Sequence, residues 1–117
     1  MPVQPGSGLW LAPGVHQMSW SALANGDSGS PMSDATQIVH SVQAEGTAGA
    51  GCAWVLEGSN DGVNYRTLTD FNGLAMSYTS VGVLAYLTAC VKWIRPRVSA
   101  GDGTTAITIT IVSRAAL

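Results

Sequence analysis

Short stretches in which apolar and polar residues alternate run along most of this chain. Alternation places successive side chains on opposite faces of a strand, and no segment sustains the 3.6-residue period of a helix. Residues 82–87 fit either a strand or a crossing loop. The clearer predicted strands cover residues 15–22, 36–44, 52–57, 64–69, 74–79, 89–98 and 104–112. Seven or eight short strands separated by turns predict an all-β fold, an antiparallel β-sandwich or jelly roll.

Turn-forming residues separate these strands. Ser59-Asn60-Asp61-Gly62 lies between two apolar stretches, and Asn, Asp and Gly tolerate the backbone conformations of tight turns, so a β-hairpin is predicted there. Asp102-Gly103 predicts a second hairpin, and residues 25–34 read as a polar loop. Pro96 lacks an N–H group, which predicts that it lies on a sheet edge or at a bulge.

The first 14 residues differ from the rest. Three prolines and three glycines argue against both strand and helix, yet Leu9, Trp10 and Leu11 are too apolar for a solvated linker. We therefore expect an extended N-terminal arm over residues 1–14 with a hydrophobic anchor, followed by a β-sandwich domain over residues 15–117. The alternative is that Trp10 folds back and covers the core of its own domain.

The composition limits the classes of partner. Of the 117 residues, 46% are apolar and 10% are charged, and so weakly charged a surface favours association, although a neutral Thr-rich β-protein would share it. A net charge of −2 without a basic cluster argues against nucleic-acid binding, and no apolar run is long enough to span a membrane. The N-terminus does not resemble a signal peptide, so we expect the cytosol or a particle assembled there.

Residues that could carry chemistry do not form a recognisable site. Cys52 and Cys90 match no metal or redox spacing and are expected to be free, buried thiols. Neither cysteine has a Gly-rich elbow beside it that would support catalysis with His16 or His40. The chain is therefore not expected to be an enzyme.

The acidic residues lead to the same expectation. Most of them lie in or beside turns, where an Asp side chain bonds its own backbone. A Ca²⁺ site from Asn60, Asp61 and Asp70 is conceivable, but turn chemistry explains the same residues. We expect no catalytic residue, no metal and no cofactor.

Candidate interface residues can nevertheless be named. Tyr65 and Phe71 flank the first hairpin and are candidates for an exposed aromatic pair. Arg95 and Arg97 are two residues apart, so both point to one face of a regular strand, and Arg is enriched at interface anchors. A solvated strand face would look the same. The expected interface comprises Leu9, Trp10, Leu11, Tyr65, Phe71, Arg95 and Arg97.

Three phrases in this order resemble one protein family. They are Val-Gln-Ala-Glu-Gly-Thr at 42–47, the Ser-Asn-Asp-Gly hairpin within 56–68, and Trp-Ile-Arg-Pro-Arg-Val-Ser-Ala-Gly-Asp-Gly-Thr-Thr at 93–105. Together they resemble the small decoration, or cement, proteins of tailed-phage capsids. The hairpin alone is also similar to discoidin-like carbohydrate-binding modules, which are usually longer, secreted and closed by a terminal disulfide.

The decoration-protein resemblance implies a virion structural protein. Such a protein would lie on the capsid exterior after assembly in the host cytoplasm. It would bind across subunits of the major capsid protein, as a homo-oligomer, and stabilise the shell. The alternatives are a carbohydrate- or receptor-binding β-sandwich module, or a tail or fibre component.

Overall fold

A computed structural model describes residues 3–33, 39–88 and 91–115. Within these ranges the chain forms twelve strands and no helix. The strands are β1 (Val3–Gln4), β2 (Ser7–Ala12), β3 (Val15–Leu23), β4 (Ser28–Gly29), β5 (Met32–Ser33), β6 (Val39–Thr47), β7 (Ala53–Ser59), β8 (Arg66–Thr67), β9 (Ser77–Tyr78), β10 (Val83–Thr88), β11 (Trp93–Ala100) and β12 (Ala106–Arg114).

The strands form two sheets. Sheet I has the order β1-β4-β11-β7-β8, with β5 beside β11 and β9 beside β7. Sheet II has the order β10-β6-β12-β3-β2. All pairs within them are antiparallel except β1 with β4. The predicted all-β, sandwich-like fold is confirmed, and the described strands of six or more residues number seven.

One hydrophobic core lies between the sheets. Ile107, Ile109 and Ile111 lie on one face of β12 and are fully buried, as the alternation in residues 104–112 predicts. Trp54 and Leu56 of β7 meet them from sheet I in the same cluster. The alternate side chains of both strands therefore point outward, and these outward faces carry the candidate sites.

The N-terminal segment is part of the sandwich. β1 pairs with β4 in sheet I, and β2 forms a hairpin with β3 in sheet II. The prediction that residues 1–14 contain no strand is therefore wrong for residues 3–4 and 7–12. Pro5 lies between β1 and β2, and Pro13 lies in the turn after β2, so neither interrupts a strand. A glycine is favoured at position 6, because a Cβ there would lie only 2.5 Å from the Met18 side chain and would clash with it.

The predicted polar loop at 25–34 is also partly wrong. Ser28–Gly29 and Met32–Ser33 pair with β11, although Pro31 interrupts them. Gly29 is buried where a Cβ would lie 2.7 Å from Pro96 and 2.8 Å from Trp20. Pro96 itself lies in a central strand rather than on an edge, opposite Leu56 and beside the break between β4 and β5.

Two further expectations need correction. The Asp102-Gly103 turn does not close a hairpin, because β11 belongs to sheet I and β12 to sheet II, so the chain crosses between layers there. In β3 a bulge at Ala22, whose φ is +52°, shifts the alternation so that Leu23 enters the core. Residues 36–38 of a predicted strand and Cys90 lie outside the described residues.

Candidate functional site

The hairpin predicted around Asp61 is present, with a connection of six residues between its strands. β7 and β8 pair through Glu57 with Thr67 and Gly58 with Arg66. Asp61 holds the connection together, because its carboxylate accepts hydrogen bonds from the backbone of Val63 and from both the backbone and side chain of Asn64. These bonds hold the pKa of Asp61 well below its usual range.

This connection folds over the outer face of sheet I. A Cβ on Gly62, whose φ is +75°, would lie 3.4 Å from the indole nitrogen of Trp93, so the turn backbone contacts that ring. Tyr65 then places its ring 3.7 Å from the guanidinium carbon of Arg95. The fold of this connection therefore places the Tyr65 ring in cation–π contact with Arg95 of β11.

Beneath Tyr65 lies an Arg–Glu–Arg cluster. Arg95 and Arg97 both donate from Nε to the same Glu57 oxygen, Oε1, at 2.9 and 3.3 Å. Glu57 is 5% exposed at its side chain, whereas Arg95 and Arg97 are 24% and 30% exposed. The expectation that the two arginines share one face is confirmed by this common partner.

Glu57 is the member of this cluster that the sequence analysis did not predict. In β7 it alternates with the buried Trp54, Leu56 and Gly58, so the period of two already places it on the outer face. Its pairing with Arg95 depends on the register between β7 and β11, which the local sequence does not contain. Two guanidinium groups around one carboxylate leave this cluster with a net positive charge.

A second feature is the apolar tip of the β2–β3 hairpin, which we define as residues 9–14. Leu9, Trp10 and Leu11 are 48%, 61% and 51% exposed, so Trp10 does not cover the core. The Trp10 ring meets His16 edge-on, with ring centroids 4.8 Å apart. Residues 10–14 line an open hollow of about 550 Å³ at the edge of sheet II.

Phe71 belongs to a third surface. It is 70% exposed, and its N–H donates to the carbonyl of Tyr86 on β10. Phe71, Leu84 and Tyr86 border a hollow of about 370 Å³, which Asp70 and Asn72 also line. Of the predicted interface residues, the structure thus joins Tyr65 with Arg95 and Arg97. Phe71 lies beside β10 instead, and Leu9, Trp10 and Leu11 lie on β2.

Cys52, Ser113 and His40 are buried, whereas His16 is half-buried beside Trp10. Ser113 is fully buried and hydrogen-bonds His40 Nδ1 at 2.7 Å. Cys52 is free and 5% exposed, and burial, with a smaller contribution from the Asp102 carboxylate, raises the pKa of its thiol.

The described ranges contain neither a cluster of metal-ligating side chains nor a membrane-spanning helix. The described residues contain no group of three or more His, Cys, Asp or Glu side chains that could hold a metal ion. Asp70 accepts hydrogen bonds from the backbone N–H groups of Asn72 and Leu74, as expected of an Asp side chain in a turn. None of the described residues forms a helix long and apolar enough to cross a membrane.

Comparison with known proteins gives a fold likeness. No protein-family model and no curated protein matches the chain. The crystal structure of the SPBc2 prophage-derived protein YomS matches with a TM-score of 0.67 and 11% identity, covering 85% of this chain and 93% of that one. The IMPa metallopeptidase in complex with T-antigen matches 97% of this chain and 13% of its own at a TM-score of 0.42 and 11% identity, too low to support an argument.

Proposed function

We propose that this protein is a phage virion component that decorates and stabilises the capsid exterior by binding across neighbouring subunits of the major capsid protein. Its fold is similar to that of a prophage-derived protein, and its sequence phrases resemble those of decoration proteins. Both points support a phage origin. In this proposal it assembles on the shell in the host cytoplasm, as a homo-oligomer on the capsid surface, and acts by adding contacts rather than by catalysis.

The observation that carries the proposal is the apolar tip. Leu9, Trp10 and Leu11 are each about half exposed on an edge strand that contains no charged residue. Natural proteins usually protect such edges with charges or proline, because an open edge pairs readily with another chain. An unprotected apolar edge is therefore typical of a surface that is covered in an assembly.

Co-sedimentation with empty heads of the phage that encodes the chain tests this proposal. The wild-type protein should saturate the heads, and Trp10→Ala should need about ten- to a hundredfold more protein, since burying one large aromatic is worth roughly 1.5–3 kcal/mol. Leu74→Ala is the matched control, because Leu74 is 65% exposed elsewhere and its replacement should leave binding unchanged. Circular dichroism checks that both variants fold.

The results separate the function from the surface that serves it. If the wild-type protein fails to bind both empty and filled heads, the decoration proposal is wrong. If Trp10→Ala binds as tightly as wild type, decoration stands but the apolar tip is not the attachment surface.

The hollow beside Phe71 favours a second candidate, a carbohydrate- or receptor-binding module. Phe71 and Tyr86 are 70% and 56% exposed there, and Asp70 and Asn72 supply polar groups beside the rings. Exposed aromatic rings with adjacent polar side chains suit stacking and hydrogen bonding of a small ligand such as a sugar. Glycan-array binding that Phe71→Ala abolishes would favour this function over decoration. A tail or fibre role has no separate support in the geometry.

A further inference from the structure

We propose that the outer face of sheet I carries a carboxylate-binding site formed by Arg95 and Arg97, and that its occupant is an Asp or Glu side chain of a partner protein. The existence of the site is argued from its own geometry. That the partner is the capsid shell rests on the proposed function.

The cluster has unused binding capacity for an anion. Arg95 and Arg97 each bond Glu57 through Nε alone, whereas a guanidinium has five N–H donors. In the part of the chain that the structure describes, Glu57 is the only carboxylate within ion-pair distance of either group. One carboxylate balances one guanidinium, so the second positive charge is available to a further carboxylate.

The site is held in place before a ligand arrives. Glu57 fixes both guanidinium groups from below, and the Tyr65 ring lies 3.7 Å from the Arg95 guanidinium carbon. Arg95 and Arg97 also stand on one central strand of the sheet. Free Arg side chains lose rotamer freedom on binding, and these two have already lost much of it.

Stability alone does not explain the second arginine. A buried ion pair contributes little net stability, because desolvation offsets the attraction between the charges. A single arginine would neutralise Glu57, and the second one adds repulsion between like charges held on one oxygen atom. The partly exposed guanidinium groups, at 24% and 30%, remain accessible to a ligand from solvent.

Neighbouring groups favour a protein carboxylate over a sugar or a nucleic acid. The two aromatic rings of this face already have cations near them, Tyr65 with Arg95 and Trp93 with the Lys92 ammonium at 5.7 Å. A sugar or a base would need an open ring for stacking. The whole chain has five Lys and Arg residues and a net charge of −2, too few cations for a phosphate backbone.

The test uses the isolated full-length protein and hexaglutamate as the probe. The Arg Nε–H signals are followed by ¹H–¹⁵N NMR at low salt, with D-glucuronate and inorganic phosphate as parallel ligands. Hexaglutamate should shift the Arg95 and Arg97 signals with a Kd of about 1 mM or tighter. Arg97→Gln should weaken binding at least about tenfold, since a charge-assisted hydrogen bond is worth roughly 1.5–3 kcal/mol.

Two variants distinguish a site from general charge. Arg114→Gln removes the same charge from an exposed arginine at the end of β12 and should change the Kd by less than about twofold. Arg97→Lys keeps the charge but loses the planar fork, so it should recover little of the affinity. It also serves as the test variant if Arg97→Gln fails to give a dispersed, folded spectrum.

Several results would overturn the inference. If the replacements of Arg97 and Arg114 weaken hexaglutamate binding equally, binding depends only on the net charge of the protein. If the Arg95 and Arg97 signals do not shift at 10 mM hexaglutamate, there is no carboxylate-binding site. Tighter binding of glucuronate or phosphate than of hexaglutamate would refute a protein carboxylate as the occupant. Hexaglutamate binding by a protein that fails to bind phage heads would reject decoration while leaving the site established.

Discussion

Replacing Glu57 by Gln tests the centre of the Arg–Glu–Arg cluster. The change keeps the shape of the side chain but removes the only described carboxylate that pairs with Arg95 and Arg97. We expect the variant to fold and to be less stable than wild type. The two guanidinium groups would then repel each other across a neutral amide.

The size of the effect follows from the geometry. Two hydrogen bonds at 2.9 and 3.3 Å lose their charge assistance, which is worth at most roughly 1.5–3 kcal/mol each. Relief from burying a carboxylate that is 5% exposed offsets part of this loss, and water screens the partly exposed arginines. The net loss should be about 1–2 kcal/mol, which for a domain of this size lowers Tm by about 4–8 °C.

Urea unfolding followed by tryptophan fluorescence measures this loss. Glu45→Gln is the matched control, because Glu45 is exposed and its hydrogen bond from Gln43 is a surface contact, so its replacement should cost less than about 0.5 kcal/mol. A double-mutant cycle with Arg97→Gln should give a coupling of about 1 kcal/mol. Equal losses for the replacements of Glu57 and Glu45, or a coupling near zero, would show that the cluster is only a solvated surface.

Three further outcomes are expected. Gly29→Ala should destabilise the fold by about 1–3 kcal/mol in the same urea assay, because its Cβ would lie within 3 Å of both neighbouring side chains, whereas Gly103→Ala, in open space, should change stability by less than about 0.5 kcal/mol. The pKa of Asp102 is lowered to about 2 from 3.8, first by the Thr104 side chain, so its contribution to stability is complete above about pH 4 and is lost as the pH falls to about 2. Acid unfolding of Asp102→Asn should therefore show a weaker pH dependence across that interval than wild type, and an unchanged profile would contradict this account. Iodoacetamide should modify the buried Cys52 only after denaturation, as peptide mass spectrometry would detect, and rapid labelling of the native protein would count against its burial.

The fold class could be predicted because the alternation of apolar and polar residues carries it directly. Ile107, Ile109 and Ile111 enter the core as their spacing predicts. The hairpin around Asp61 could also be predicted, since local hydrogen bonds from Asn64 and its neighbours define the turn. These features depend on neighbours within a few residues, which is the range over which a single sequence is informative.

The errors arose where tertiary contacts decide the structure. Gly29 read as part of a polar loop, yet it lies in β4, where the side chains of Pro96 and Trp20 leave no room for a Cβ. Asp102-Gly103 is typical of a hairpin turn, but here the same two residues form the turn at which the chain passes from sheet I to sheet II. The position of Pro96 likewise depends on where β4 and β5 break, which lies more than 60 residues earlier in the chain.

The candidate site was predicted in part for the same reason. That Arg95 and Arg97 share a face follows from spacing alone, whereas their common partner Glu57 lies 38 and 40 residues away. Tyr65 was recognised as flanking the hairpin, but its stacking on Arg95 depends on how the turn folds over sheet I. Residue spacing therefore predicts which side chains share a face of one strand. The site also needs the register between strands, which brings Glu57 to Arg95 and Arg97.

The two surfaces carry different chemistry on different sheets, and this division bears on decoration. The apolar tip lies at the β2 edge of sheet II, whereas the arginine cluster lies on the outer face of sheet I. A rigid sandwich that binds one subunit by apolar burial and another by charge pairing gains avidity from effective concentration, even if each contact is weak. Raising the salt concentration should then weaken one contact and leave the other, because screening acts on charges and not on apolar burial. Head binding that falls in salt for wild type, but not for Arg97→Gln, would support two contacts of this kind, whereas identical salt dependence would argue that the arginine cluster takes no part in attachment.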